Sequence, residues 1–130
     1  MRLAVIPGIL LAFVACGGSD NSSPTEAPMN ITANAIASPK GSSNIAIPTG
    51  GRVHYFNKDA TPHQIVATGT SGCSVLSTDG AIPPNGDQLR PTMNSAENCS
   101  LTDSANSAIS AFVNVTAPPP GSSGGGGSGY

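Results

Sequence analysis

The chain has 130 residues, a formal charge of −2 at pH 7 and only 9% charged residues. Five basic residues, nowhere clustered, give nucleic acid no electrostatic surface to bind. Sixteen glycines and twelve prolines, set among many Ser, Thr and Asn, suit turns and exposed strand faces rather than long helices.

The N-terminus reads MRLAVIPGILLAFVACGGSD, with Arg2 followed by an apolar run from Leu3 to Ala15 that stops at Cys16. That run is too short for a bilayer-spanning helix and has the length of a signal-peptide core. Phe13-Val14-Ala15-Cys16 resembles a bacterial lipobox, in which the cysteine becomes the lipid-bearing N-terminus. An ordinary secretory signal cleaved nearby is the other reading, and both export the protein. Residues 1–15 are therefore expected to be a lipoprotein-type signal peptide. Membrane attachment would run through a lipid anchor at Cys16, in the bacterial cell envelope, on the periplasmic or surface face of the outer membrane. Loss of Arg2 leaves four basic against seven acidic residues, a net charge of −3. Residues 16–30, including GGSDNSSPTEAPMN, show almost no apolar periodicity and are expected to be a flexible tether.

From residue 31 to 116 the dominant period is two, the signature of half-buried strands. Ile31, Ala33 and Ala35 alternate with polar residues; Ile45 and Ile47 flank Ala46 ahead of a Pro48-Thr49-Gly50-Gly51 turn; Val53 and Tyr55 flank His54. Gln64 to Ala67 is a short apolar run and Gln88 to Met93 a weaker candidate. In Ile109-Ser110-Ala111-Phe112-Val113-Asn114-Val115 the four odd-numbered positions share one face. Short strands separated by turn residues, with no helical stripe, predict a single small all-β sandwich over 31–116. The core is thin, with Tyr55, Phe56 and Phe112 its only aromatic residues. Residues 117–130, APPPGSSGGGGSGY, are a proline stop and a Gly/Ser tail whose composition cannot offset its ordering entropy.

The stretch Gly51 to Val66, GRVHYFNKDATPHQIV, resembles the cupredoxins, the plastocyanin-like blue-copper proteins, and ENCSLTD before the last strand extends the likeness. The resemblance implies a Greek-key β-sandwich and, in its complete form, a copper site for electron transfer. It assigns His63 to the first histidine ligand, Cys99 to the thiolate, and Asn57 to a structural asparagine that fixes the ligand loops by hydrogen bonds. Thr102 stands where a second histidine is needed. No methionine lies between Asp103 and Ser107, and Met93 precedes the cysteine. A blue-copper centre needs two imidazoles and a thiolate in one plane, with a weak axial ligand that can vary. A threonine hydroxyl cannot replace an imidazole there, so the site is expected to be lost. His54, alternating with Val53 and Tyr55, is expected to point to solvent.

If Cys16 is lipidated or removed, Cys73 and Cys99 remain, and an exported pair is more often a disulfide than two thiols. That bridge would take Cys99 out of any copper site. His63 then reads as a loop histidine hydrogen-bonded to backbone near Asn57. The carboxylates Asp59, Asp79, Asp87, Glu97 and Asp103 appear scattered in turns, and no serine sits in a Gly-x-Ser-x-Gly elbow. No enzyme is expected. Of the four Asn-x-Ser/Thr matches, two fall at Asn98 and Asn114, and with a bacterial-type leader they reflect composition. The leading expectation is an exported cupredoxin-like lipoprotein without copper, acting as a structural or binding module. The alternatives are a copper-binding electron-transfer protein using His63 and Cys99, and an unrelated immunoglobulin-like sandwich with a different strand order.

Overall fold

The computed structural model describes residues 24–117. The expected signal segment 1–15, the lipid site at Cys16 and all but the first residue of the expected tail lie outside them. The described chain runs β1 (Glu26–Ile31), β2 (Ile36–Ala37), β3 (Asn44–Pro48), β4 (Arg52–Asn57), β5 (Ile65–Gly69), a 3-10 helix (Ser71–Leu76), β6 (Asp87–Leu89), β7 (Glu97–Asp103) and β8 (Ser110–Thr116). Two four-stranded sheets, ordered β2-β1-β4-β6 and β3-β8-β7-β5, pack face to face as an all-β sandwich. Within them β1 lies parallel to β4 and β3 parallel to β8, whereas β5, β7 and β8 pair antiparallel.

Alternation explains the core. Met29 and Ile31 from β1 and Val53 and Tyr55 from β4 face Ile65, Leu101, Ala111, Val113 and Val115 from the other sheet, all buried. The odd-numbered face of Ile109 to Val115 is thus buried as the sequence predicts. Of the three aromatic residues expected in the core, only Tyr55 reaches it. Its hydroxyl donates to Leu76 O at 2.8 Å, tying β4 to the 3-10 helix, and burial pushes its pKa up. Phe56 lies on the outer face of its sheet, and Phe112 is 55% exposed on the outer face of the other.

The structure departs from the predicted elements in three places. The first strand is Glu26–Ile31 rather than a run beginning at Ile31, so residues 26–30 are structure and not tether. Its register on β4 buries Met29 and Ile31, and a turn closed by Thr32 N to Ala35 O then ends the strand. Residues 97–103 form a full strand where sequence reading found a cysteine ahead of a strand. Its inward positions are Glu97, Cys99, Leu101 and Asp103, and a carboxylate at each end hides the alternation. The 3-10 helix over Ser71–Leu76 carries no stripe to announce it.

Cys73 on that helix meets Cys99 on β7 with their sulfurs 2.00 Å apart, closing a sequence separation of 26 residues. The neighbouring Gly69, at φ +136°, is required there, because an added Cβ would collide with Asn98 O and press on Cys73 Sγ. A crosslink over this separation contributes about 3.5 kcal/mol by restricting the unfolded chain. A Cys73→Ala/Cys99→Ala variant is expected to lose about 3–4 kcal/mol in urea unfolding of the exported protein. An unchanged midpoint, or an intact mass that does not rise by about two daltons on reduction, would show that the bridge is not formed.

Candidate functional site

At one pole of the sandwich the ends of β4, β5 and β7 converge. Asn57 closes β4 there and is fully buried. Its amide nitrogen donates to Thr61 O at 2.8 Å and Ile82 O at 2.9 Å, while its oxygen accepts from Asp59 N at 2.9 Å. One side chain thus shapes the 58–63 loop and docks it on the segment carrying Ile82, between the 3-10 helix and β6. This is the loop-fixing role that the cupredoxin resemblance implies for Asn57. His63, at the end of that loop, completes the docking with a two-way backbone bridge to Ile82.

The His63 ring is buried between two carboxylates. Nε2 lies 2.8 Å from Asp59 Oδ2, and Nδ1 faces Asp103 Oδ2. Asp103 is itself buried, and its other oxygen accepts from Ala105 N at 2.9 Å. Asp59 is held by Ala60 N at 2.8 Å and the Thr61 hydroxyl at 2.7 Å. A carboxylate oxygen only accepts, so a ring facing one at each nitrogen must carry both protons. Burial acts to lower the His63 pKa, but the bonds to Asp103 and Asp59 outweigh it and the net shift is upward. The imidazolium in turn holds Asp59 below the usual carboxylate range. His63 is therefore paired through its side chain, not hydrogen-bonded to backbone through its ring as the sequence reading has it.

His54 repeats the arrangement on the outer face of β4. Its Nδ1 is 2.6 Å from Glu26 on β1 and its Nε2 is 2.6 Å from Asp87 on β6, so the ring bridges three strands. Its ring stacks on Phe56 with centroids 4.1 Å apart, and Lys58 sits 5.4 Å from the Phe56 centroid. Again burial acts to lower the pKa and the two carboxylates raise it above the ordinary value. The expectation of a solvated histidine is corrected: it is half-buried and doubly paired.

The ligand assignments fare differently. Cys99 lies four residues up β7 from Asp103, roughly 13 Å along the strand. It pairs with Gly69, while Asp103 pairs with Ile65 beside the histidine. A thiolate must stand next to the imidazole to share a copper ion with it, and the residue standing there is Asp103. His63 and Cys99 are thus not brought together. Thr102 alternates with buried Leu101 and Asp103 and sits on the outer face, away from His63. Met93 hydrogen-bonds through its backbone to Gly50 and Gly51, at the opposite pole. Among the described residues no group of three or more His, Cys, Asp or Glu side chains converges as a metal cage. Each nitrogen of His63 is turned to a separate carboxylate, and the second imidazole lies on another face. These donors do not fit a blue-copper centre.

Four of the five scattered carboxylates prove to be paired: Asp59 and Asp103 with His63, Asp87 with His54, and Asp79 with the buried Arg90 at 2.9 Å, whereas Glu97 accepts from the Thr70 and Ser95 hydroxyls. None of these pairings spans a spacing that sequence alone could connect, save Asp59 with His63 four residues on. Thr61 comes within 3.4 Å of His63 Nε2, but its hydroxyl donates to Asp59, so this cluster does not activate it as a nucleophile.

Comparison with solved structures identifies the fold. The chain is similar to a purple cupredoxin from Nitrosopumilus maritimus, with a TM-score of 0.54 and 19% identity over 69% of this chain and 99% of that one. It is similar to amicyanin from Paracoccus versutus, with a TM-score of 0.56 and 15% identity over 75% of this chain and 86% of that one. It also matches a Cu-containing nitrite reductase from Thermus scotoductus, with a TM-score of 0.64 and 17% identity over 82% of this chain and 25% of that one. No family model matches, and no curated protein matches at the sequence level. The fold is the cupredoxin β-sandwich, and the immunoglobulin-like alternative is not needed.

The two histidines make stability depend on pH in a defined direction. Each folded pKa is raised. Their contribution is therefore complete below about pH 6.5, the unfolded value, and is lost as pH climbs through the folded values. Asp59 and Glu26, held low by His63 and His54, contribute fully above the unfolded carboxylate range and lose that contribution as pH falls from there through their lower folded values. The urea midpoint should be highest between roughly pH 4.5 and 6.5. A proton NMR titration should place both histidines above about 6.5, and a value below that for either would contradict the paired geometry. Asp103→Ala, which removes the more deeply buried of the two partners of His63, is expected to cost about 3 kcal/mol in the same unfolding measurement.

Proposed function

We propose that this chain is an exported, lipid-anchored domain of cupredoxin fold that serves as a non-catalytic binding or structural module at the cell envelope, with no type-1 copper. The observation that carries this reading is Asp103: a buried carboxylate occupies the side of His63 where a thiolate would have to stand. Two further features support it. Cys99 is engaged with Cys73, and the second histidine is committed to Glu26 and Asp87 on a different face. The lipobox-like segment ending at Cys16 supports attachment to a membrane.

The second reading, a copper-binding electron-transfer protein, draws on the solved neighbours, which include a purple cupredoxin and a Cu-containing nitrite reductase. Against it stands the separation of His63 from Cys99 along β7.

Copper(II) titration of the exported full-length protein separates the two. No intense thiolate-to-copper absorption in the visible is expected, before or after mild reduction. Such a band, abolished by Cys99→Ser, would make electron transfer the function instead. For the anchor, expression in a bacterium fed labelled fatty acid should label the protein. Label that persists in Cys16→Ser, or that never appears, would refute attachment at that residue.

A further inference from the structure

The two outer faces of the sandwich are chemically opposite. The β2-β1-β4-β6 face carries Glu26, Arg52, His54 and Asp87, joined to one another by ion pairs. On the β3-β8-β7-β5 face every outward side chain is uncharged. The register places Asn44, Phe112, Ser100 and Thr68 in one row across four strands. Asn98 and Asn114 stand opposite each other in the next row. Phe112, 55% exposed, is the large apolar side chain of that row. A shallow groove of about 370 Å³ lies along it, walled in part by these six residues.

The polar side chains that flank the groove are also uncommitted among the described residues. Among the described residues, the contacts within the protein at Asn44 and Asn98 use only backbone atoms. The side-chain amides and hydroxyls of Asn44, Thr68, Asn98, Ser100 and Asn114 are turned to solvent. The face therefore presents one exposed aromatic ring, with Val66 exposed in the adjoining row on β5, among neutral donors and acceptors.

We infer that this face binds a neutral polysaccharide chain, with a sugar ring stacked on Phe112 and its hydroxyls hydrogen-bonded by the flanking amides and hydroxyls. The absence of charge selects the class. Phosphate-bearing polymers and acidic or basic peptides gain nothing electrostatic here. A second copy of this chain would bring only Phe112 and Val66, on β8 and β5, to a field of amides, whereas stable protein interfaces have a continuous apolar core and leave few polar groups unmatched. A pyranose offers both an apolar C–H face and a rim of hydroxyls, and it satisfies both kinds of group at once. This specifies a partner for the binding-module reading. It rests on the outer sheet face and not on the state of the His63 pole, so a failed sugar titration leaves the copper result standing.

Isothermal titration with maltohexaose, cellohexaose and chitohexaose as separate probes tests it. At least one is expected to bind, with a Kd that changes by less than about twofold between about 50 and 500 mM salt. Phe112→Ala, at an exposed position that should not perturb folding, is expected to weaken binding by about tenfold or more. Asn114→Ala should weaken it several-fold, and Lys58→Ala on the opposite side should leave it unchanged. No heat with any of the three sugars would overturn the proposal, as would binding indifferent to Phe112→Ala. Sedimentation showing a dimer that Phe112→Ala dissociates, without sugar binding, would assign the face to self-association instead.

Discussion

A carboxylate buried at the end of a strand must find a cation or unfold its surroundings. Asp103 has no exposed surface to speak of, and its partner is the His63 imidazolium. Much of this pole follows from that demand. The 58–63 loop has to deliver a ring to β7, Asn57 has to hold the loop in the delivering shape, and the ring's far nitrogen then requires Asp59. With three groups so committed, the pole acts as a closed electrostatic unit of net charge −1, in which each nitrogen of the His63 ring is turned to a carboxylate. Hydrogen bonds among Asn57, Asp59, His63 and Asp103 hold this pole of the cupredoxin fold together.

His54 applies the same chemistry across strands rather than between loop and strand. Its two bonds link β1, β4 and β6, so the outer face of that sheet is knitted by charge while the outward side chains of the other sheet's strands are all neutral. Exposed ion pairs of this kind add little each. Their effect is to commit the polar groups of one face to one another, which leaves the opposite face as the one with groups to spare.

The fold class was legible because burial alternates wherever the inward residues are aliphatic, as from Ile109 to Val115. It was illegible where inward residues are polar. Glu97 and Asp103 made a strand look like a turn, and Met29, preceded by Pro28 in a polar stretch, made β1 look like tether. The resemblance placed His63 and Asn57 correctly at one pole but aligned Cys99 with a position four residues away. A cysteine is a strong sequence landmark and an aspartate a weak one, so the match settled on the wrong inward residue of β7. The carboxylate partners could not be found from spacing, since most of the pairs are brought together by sheet register over 20 residues or more.

Thr116 O accepts from Thr49 N, and Thr25 O accepts from Arg52 N, three residues along the same turn. The first and last described strands therefore enter and leave side by side, at the pole opposite His63. In topological terms the domain is nearly a closed ring, and a short linker between residues 25 and 116 would complete it with little loop-closure entropy. New ends could then be opened in an exposed turn, such as the one around Gly41. The order of strands along the chain would change while every sheet neighbour stayed the same. The architecture depends on which strands lie adjacent, and where the backbone happens to be cut is incidental to it.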